Sequence, residues 1–181
     1  MGYAVELNFD DETSDRIRGL WRQLADAGLN SAMIDNNANP HISLAVFDEI
    51  DPDLIRLVMA DFAHRVTPIS VRLAAVGTFP PGTKGDEGAV YLAPTVSAHL
   101  LSHHDRFHRM LYALNLRADG YYLPGNWVPH CTVALDAPPD KVAEIVALCR
   151  QRDVFHDAQL VDVSLVEFRP VKELYRYKFE E

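Results

Sequence analysis

Residues 39–46 read NPHISLAV, and residues 128–135 repeat the pattern as VPHCTVAL. In both stretches a Pro-His pair leads into apolar residues with one hydroxyl side chain among them. The two histidines, His41 and His130, are 89 positions apart (130 − 41), which is close to half of the 181-residue chain. Self-similarity at such a spacing is typical of an internal repeat, and a repeat sets the architecture of the whole fold. The sequence therefore predicts two related halves.

The segments that flank the two stretches recur in the same order. Apolar residues at helical spacing precede each stretch, and a Pro with an acidic residue begins a second helix after each one. Strand-like segments then end at Phe79 and Phe168, which are again 89 residues apart (168 − 79). Each half, residues 1–85 and residues 86–181, is therefore predicted to run strand, helix, strand, helix, strand. A Gly-rich stretch at 82–88 joins the halves.

Short strands that are connected partly by helices and partly by loops are typical of an α+β fold with antiparallel pairing. We expect one bilobal domain over residues 1–181, with two pseudo-symmetric lobes whose antiparallel sheets surround a central cleft. Packing of the halves about a pseudo-twofold axis would bring both Pro-His stretches to that cleft. A last strand candidate at 174–179 has no counterpart in the first half.

The composition is that of an ordinary globular domain without a basic surface. Hydrophobic residues make up 48% of the chain and charged residues 24%, and a chain of this length usually forms one domain. The net charge of -9 leaves no excess of Lys and Arg for binding duplex DNA or an anionic membrane. We therefore expect neither duplex DNA nor a membrane as a partner.

The sequence also predicts a compartment. Its first twelve residues become acidic and lack the basic and apolar regions of a secretory signal, and no apolar run approaches the roughly 18 residues that cross a bilayer. Cys131 and Cys149 are too few for a disulfide framework and do not have a zinc-binding spacing. We expect a cytoplasmic protein, and the oligomeric state is left open.

The repeated stretches carry the residues that chemistry would need. His41 and Ser43 are two positions apart on a predicted strand and therefore share one of its faces. His130 and Thr132 have the same spacing. Two imidazoles that face each other across a cleft suit a phosphodiester, because one takes a proton from water while the other protonates the departing oxygen. The predicted catalytic residues are His41 and His130, the predicted phosphate-binding residues are Ser43 and Thr132, and the chemistry requires neither a metal nor a cofactor.

The segments PHISL (40–44) and PHCTV (129–133) resemble the paired His-x-Thr/Ser-apolar motifs of the 2H phosphoesterase superfamily. That group includes the RNA 2',3'-cyclic phosphodiesterases called 2'-5' RNA ligases. The segment VGTFP (76–80), followed by VYL (90–92), is similar to the region between the motifs in that family. The resemblance covers nearly the whole chain. It implies a bilobal α+β fold with a central cleft and metal-independent hydrolysis or ligation of phosphodiesters.

The substrate predicted from this resemblance is the 2',3'-cyclic phosphate of a nucleotide or of a short RNA end. The acidic net charge disfavours a long RNA. So do Ala134, Leu135 and Asp136, which stand where the RNA-ligase branch often has a basic residue. The alternatives are 2'-5' end joining of RNA by the same four residues, and a binding module that holds nucleotides or RNA ends without turnover.

Three further residues are candidate substrate contacts. Lys84 could reach a phosphate from the Gly-rich stretch, although that stretch lacks the Walker pattern and is more typical of a flexible connection. Tyr122 and Trp127 precede the second motif and could stack on a base, as aromatic side chains do in single-strand recognition. Packing between the lobes is the alternative for both rings.

Four histidines occur at helical spacing: His99, His103, His104 and His108. This spacing predicts a solvated helix face or, as a remote alternative, the site of a metal hydrolase. No Glu completes a His-Glu-x-x-His motif, so the solvated face is preferred.

Two other residues are predicted to be structural. Cys131 lies between His130 and Thr132, but strand alternation turns its thiol to the opposite face, which predicts a small buried side chain. Trp21 falls on the apolar stripe of its helix and is expected in the core.

Overall fold

The computed structural model describes residues 2–82, 87–168 and 170–180. Its elements, in chain order, are β1 (Gly2–Phe9), α1 (Asp11–Asp26), α2 (Ala32–Asp35), β2 (His41–Phe47), α3 (Pro52–Ala63), β3 (Ile69–Phe79), β4 (Ala89–Pro94), α4 (Ala98–Ala113), a 3-10 helix (Gly120–Tyr122), β5 (Cys131–Leu135), α5 (Val142–Arg150), β6 (Asp157–Phe168) and β7 (Lys172–Lys178). The predicted order of strands and helices is confirmed in both halves. The sequence analysis missed α2 and the 3-10 helix, which precede the two motif strands.

Local sequence explains where the longer helices begin. The Asp10 carboxylate accepts a hydrogen bond from the Thr13 N–H at 2.8 Å at the start of α1. Ser97 Oγ accepts one from the Leu100 N–H at 3.1 Å at the start of α4. These caps satisfy backbone donors that have no partner inside the helix. None of the described helices combines the length and the apolar character that crossing a bilayer requires.

The fold combines helices with β-strands, and every pairing among the described strands is antiparallel. The strand order is β2-β1-β6-β3-β4-β5, and β7 also pairs with β6. β3 connects two groups of strands, because its residues 69–72 pair with β6 and its residues 73–79 pair with β4. The predicted α+β class with antiparallel pairing is therefore confirmed.

Each group of strands contains a strand from the other half of the chain. β6, from residues 86–181, lies beside β1, and β3, from residues 1–85, lies beside β4. The halves are interleaved, so neither half completes its group of strands alone. The two-lobed pseudo-symmetric arrangement, and a repeat with its boundary after residue 85, stay predictions.

The two ends of the strand order meet in space. β2 and β5 are in contact although they stand at opposite ends of that order. Trp127, just before β5, donates from its indole N–H to the backbone carbonyl of Ser43 on β2 at 2.9 Å. This approach brings both Pro-His stretches into one region.

Apolar side chains from both halves form one continuous core. Fully buried members come from four helices: Ile17, Phe62, Phe107 and Ile145. On β2 the burial alternates, since Ile42 and Leu44 are fully buried while His41 and Ser43 are half-buried. The core thus takes one face of the motif strand and leaves the polar face for chemistry.

Candidate active site

His41 is the first residue of β2, and a backbone carbonyl fixes its ring. Nδ1 lies 2.6 Å from the carbonyl oxygen of Asn39. Because a carbonyl only accepts, Nδ1 carries a proton and donates it, so neutral His41 has its lone pair on Nε2. That nitrogen lies 3.4 Å from Oε1 of Glu6 on the neighbouring strand β1.

His130 directly precedes β5 and repeats the arrangement. Its Nδ1 lies 2.7 Å from the carbonyl oxygen of Val128, so Nε2 is again left for chemistry. The ring meets Phe79 edge to face, with ring centres 4.8 Å apart, and is tilted against Tyr91 at 5.2 Å. Burial, partly opposed by the bond to Val128, lowers the pKa of His130, and the charge of His41 lowers it further.

The structure brings the two histidines into one region, because β2 and β5 are in contact and Trp127 bridges them. The backbone of His41 also lies against the thiol of Cys131, the residue after His130. Cys131 is buried and free, as predicted, and burial raises the pKa of its thiol to about 12. A thiol with that pKa stays protonated near neutrality, so Cys131 is a poor candidate for a nucleophile.

A β-bulge follows the hydroxyl residue in both motif strands. In β2 the extra residue is Leu44, directly after Ser43. In β5 it is Val133, directly after Thr132. A bulge bends the strand and changes the direction of its side chains, and it is common beside active sites. Ser43 and Thr132 are both half-buried, on the side of their strands that carries the histidines.

Side-chain donors bind the backbone carbonyls beside these bulges. Trp127 donates to Ser43, as described above, and Trp21 donates from α1 to the carbonyl of Thr132 at 3.3 Å. His108 donates from Nε2 to the carbonyl of Leu44 at 3.1 Å. The two tryptophans of the chain therefore hold the backbone at the two hydroxyl residues. Trp21 is buried in the core, as predicted.

The structure adds a buried carboxyl group that the sequence analysis did not single out. Glu6 is 4% exposed and pairs across the strands with Ser43, so it shares a face with the first motif. Burial raises the pKa of Glu6, and the charges of His41 and Arg176 oppose that shift. The available signal was a pair of polar residues, Glu6 and Asn8, two positions apart in an otherwise apolar strand.

A polar network continues from β1 away from the motif. The Asn8 amide donates to Asp162 Oδ1 at 2.7 Å and to Ser164 Oγ at 2.8 Å. Both oxygens of Asp162 accept from Arg176 on β7, at 2.9 and 2.8 Å. A cavity of about 310 Å³ lies between this network and Asn39, and so opens next to the first motif.

The three candidate substrate contacts fall in different places. Trp127 is buried and stacks face to face on His104 with ring centres 4.0 Å apart, so the structure uses this ring for packing. Tyr122 is half-buried in the 3-10 helix, and burial, with the nearby charges of Asp119 and Glu6, raises the pKa of its hydroxyl to about 12. Lys84 lies outside the described residues.

The prediction of a solvated histidine face on α4 was wrong for three of the four histidines, since only His99 of the four is exposed. His103, His104 and His108 are buried, and burial lowers the pKa of His103 and of His104 to about 4. His104 donates from Nε2 to the carbonyl of Tyr122 at 2.9 Å, as His108 does to Leu44. Helical spacing alone does not tell which side of a helix faces the sheet. In the part of the chain that the structure describes, no three His, Cys, Asp or Glu side chains are grouped to hold a metal ion.

Solved structures define the class of fold. TT0787 of Thermus thermophilus superimposes with a TM-score of 0.61 at 14% identity, over 99% of this chain and 98% of that one. LigT of E. coli with 3'-AMP gives 0.61 at 15% identity, over 99% and 98%. Usb1 of Kluyveromyces marxianus gives 0.54 at 9% identity, over 98% and 97%. At these identities the likeness shows a shared fold, and it extends over nearly the whole of each chain compared.

A sequence model of the 2'-5' RNA ligase superfamily matches residues 9–169. The chain therefore belongs to the 2'-5' RNA ligase superfamily, a group of 2H phosphoesterases, and the family that the two motifs resemble is confirmed. Membership supports an enzyme with hydrolase-type activity. A search of curated proteins finds no match.

Proposed function

We propose that the protein is a metal-independent phosphodiesterase that opens the 2',3'-cyclic phosphate of a nucleotide or of a short RNA end. The observation that carries the proposal is the matched pair of imidazoles. His41 and His130 each donate from Nδ1 to the carbonyl two residues earlier, at 2.6 and 2.7 Å. Each therefore keeps its Nε2 free of the backbone. We place the substrate between β2 and β5, where the two rings would supply the proton donor and the proton acceptor that opening the ring requires.

The reaction uses one histidine as base and the other as acid. The base takes a proton from water through its Nε2 lone pair while the water oxygen forms a bond to phosphorus. The bond between phosphorus and one ribose oxygen then breaks, and that oxygen receives the Nε2 proton of the other histidine. The product carries an open phosphate monoester and a free hydroxyl, and the two histidines exchange protons with solvent to return to their starting states.

Ser43 and Thr132 are proposed to hold the phosphate between the imidazoles. Their hydroxyl groups can donate to the non-bridging oxygens and stabilise negative charge that builds up in the transition state. The bulges after both residues, and the indole donors on their carbonyls, fix the backbone from which these hydroxyls project. A fixed donor costs no reorganisation when the charge develops.

A substrate of nucleotide size agrees with the acidic chain and with the room beside the site. The net charge is -9, and the cavity of about 310 Å³ next to Asn39 can take part of a nucleoside. LigT of E. coli, which shares the fold, forms complexes with 3'-AMP, NADP+ and ATP. Tyr122 and Lys84 stay proposed substrate contacts. A cytoplasmic location is also part of this proposal, and the two described cysteines, both free and buried, suit it.

The test is hydrolysis of 2',3'-cyclic nucleotides and short cyclic-ended RNAs with a chelator present. We expect product from the wild type, a loss of about 10²- to 10⁴-fold in kcat for His41→Ala or His130→Ala, and no measurable turnover for the double variant. His64→Ala is the matched control, because His64 lies on the surface with its ring paired to Glu180. Activity in the double variant, or activity that the chelator abolishes, would contradict the proposal.

Two further assays on the same protein separate the alternative functions. Incubation with cleaved RNA halves reveals joined product if the four residues perform 2'-5' ligation. Saturable binding of a cyclic nucleotide without product identifies a binding module.

A further inference from the structure

The two halves of the site place different residues beside their histidines. In the register of the sheet, Glu6 on β1 lies opposite Ser43, and Tyr91 on β4 lies opposite Thr132. Each thus occupies the same position relative to its motif strand, just at the bulge. Glu6 Oε1 lies 3.4 Å from Nε2 of His41, whereas the Tyr91 ring packs on His130. One histidine therefore has a carboxyl neighbour where the other has an aromatic one.

We propose that Glu6 is a positioning residue that keeps a proton on Nε2 of His41, so that His41 is the acid and His130 the base. The inference rests on the proposed function, which needs one histidine in each role. During the reaction the Nε2 proton of His41 passes to the departing ribose oxygen, and the proton of the attacking water passes to Nε2 of His130. Glu6 makes no bond to the substrate and acts through His41.

The burial of Glu6 explains why this residue would keep a proton on Nε2 of His41. A lone carboxylate at 4% exposure has lost its hydration, which is costly unless a positive group lies beside it. A proton shared with His41 makes the pair neutral overall. The pair therefore retains one proton to a higher pH than two separate groups in water would.

The distance also leaves the proton available for transfer. At 3.4 Å the Nε2 to Oε1 separation exceeds the usual 2.7 to 3.2 Å range of an N–H···O hydrogen bond. The carboxylate thus attracts the positive charge on the ring without holding the N–H in a short bond. Nδ1 stays bound to Asn39, so the transferable proton is the one on Nε2.

Other charged and titratable groups face the pair from several elements. Arg176 and Glu173 act on Glu6 from β7, and Arg176 is itself paired with Glu173 and with Asp162. Arg18 on α1 approaches His41 indirectly, through the Asn39 side chain.

Two weaker acids also lie near Glu6: Tyr122 and Cys131. The pKa of each is raised to about 12, so both are neutral at the pH of the reaction. The proposed proton-transfer groups are therefore His41 and His130, and His130 lies in aromatic surroundings. Burial between Phe79 and Tyr91 lowers the pKa of His130, which suits a neutral base.

The experiment compares the pH profiles of kcat/KM for wild type, Glu6→Gln and Glu180→Gln. The acidic limb reports the base and the alkaline limb reports the acid in the free enzyme. Removing the carboxylate lets His41 lose its proton at lower pH. We therefore expect the alkaline limb of the Glu6→Gln profile to move to lower pH. The ratio of kcat/KM at pH 8.5 to kcat/KM at pH 6.5 should be about tenfold lower than in the wild type, while the acidic limb stays in place. Glu180→Gln removes an exposed carboxylate that pairs with His64 on the surface and should leave both limbs in place.

A titration of labelled histidine side chains by NMR supplies a readout that does not need turnover. We expect the His41 signals of Glu6→Gln to titrate at lower pH than in the wild type, and Glu6→Asp, which keeps the charge, to recover part of the difference. An unchanged alkaline limb and unchanged His41 signals in a folded variant overturn the inference, and a shift of the acidic limb assigns the roles in reverse. If the wild type hydrolyses no cyclic phosphate, the proposed function fails, and the NMR titration still decides whether Glu6 holds the proton.

Discussion

At the scale of single residues, the site depends on how each histidine is bound to its own backbone. The carbonyls of Asn39 and Val128 accept from the Nδ1 atoms of His41 and His130 and set the same tautomer in both rings. What differs is the neighbour on the adjacent strand, which is a carboxyl group for one ring and an aromatic ring for the other. The buried carboxyl group of Glu6 should also affect the stability of the protein.

Replacing Glu6 with Gln should raise the free energy of unfolding at neutral and alkaline pH. Burial raises the pKa of Glu6 in the folded state, so its contribution to stability is present below the unfolded value of 4.5 and is lost as pH rises through the folded value. The uncharged Gln has no such loss. Thermal melts of both proteins between pH 5 and pH 8 should show an advantage for the variant that grows with pH. A constant difference across that range would contradict this.

At the scale of elements, two bulged strands carry the motifs, and donors from elsewhere in the chain bind their carbonyls. The donors come from α1, from α4 and from the segment before β5, so the motif strands depend on packing as well as on pairing. Two substitutions test this dependence.

Trp127→Phe should lower both stability and turnover. Phe keeps an aromatic ring against His104 but loses the indole N–H that donates to Ser43 at 2.9 Å. An unpaired buried carbonyl costs about 1 to 3 kcal/mol, and a backbone shift at Ser43 would misplace its hydroxyl. Trp21→Phe makes the matched change at Thr132, where the bond is longer at 3.3 Å and the cost should be smaller. Urea denaturation and kcat of both variants provide the measurement, and a larger effect at Trp21 would refute the explanation.

Gly77→Ala should disturb the surroundings of His130. Gly77 pairs with Tyr91 across β3 and β4, and a Cβ atom there would overlap the Tyr91 ring. The ring would have to move away from His130, and we expect kcat/KM to fall about ten- to a hundredfold. Gly19→Ala is the control, because the space around Gly19 in α1 is open. It should add about 0.5 to 1 kcal/mol of stability and leave the rate unchanged. Normal kinetics for Gly77→Ala would show that the Tyr91 contact is unimportant.

At the scale of the whole molecule, the halves of the chain exchange strands and share one core. β6 lies beside β1 and β3 beside β4, so the motif of each half depends on residues from the other. We therefore regard the domain as one cooperative unit, and its stability should respond to pH through the histidines buried against the sheet.

The protein should lose stability as pH falls from about 6.5 to about 4. Burial lowers the pKa of His103 and of His104 from 6.5 to about 4, so in this range the unfolded chain binds protons that the folded chain does not. Each such histidine changes the free energy of unfolding by at most ~1.4 kcal/mol per pH unit. His104→Gln should be less stable than wild type at pH 7.5, with a gap that narrows towards pH 5, whereas the exposed His64→Gln should follow wild type. Parallel curves for His104→Gln and wild type would exclude this role.

Local patterns in the sequence were enough to predict much of the fold. The alternation around His41 and His130 predicted motif strands with the imidazole and hydroxyl on one face, and the structure has that alternation in burial. Helical spacing predicted α1 and α4, and a Pro with an acidic residue predicted that α3 and α5 follow the motif strands. These features depend on residues close together in the chain, and so the sequence alone determined the longer elements, the two motifs and the family to which they belong.

The tertiary structure decided which side chains lie next to each other in the site. Glu6 lies beside His41 because β1 pairs with β2, and it is buried because β6, more than 150 residues away in the chain, covers the other edge of β1. Trp127 and His104 turn inward because α4 packs on the back of β2, although their local sequence also suits a solvent face or a ligand contact. Strand order and side-chain burial follow from the packing of distant segments around a shared core, which no local periodicity specifies.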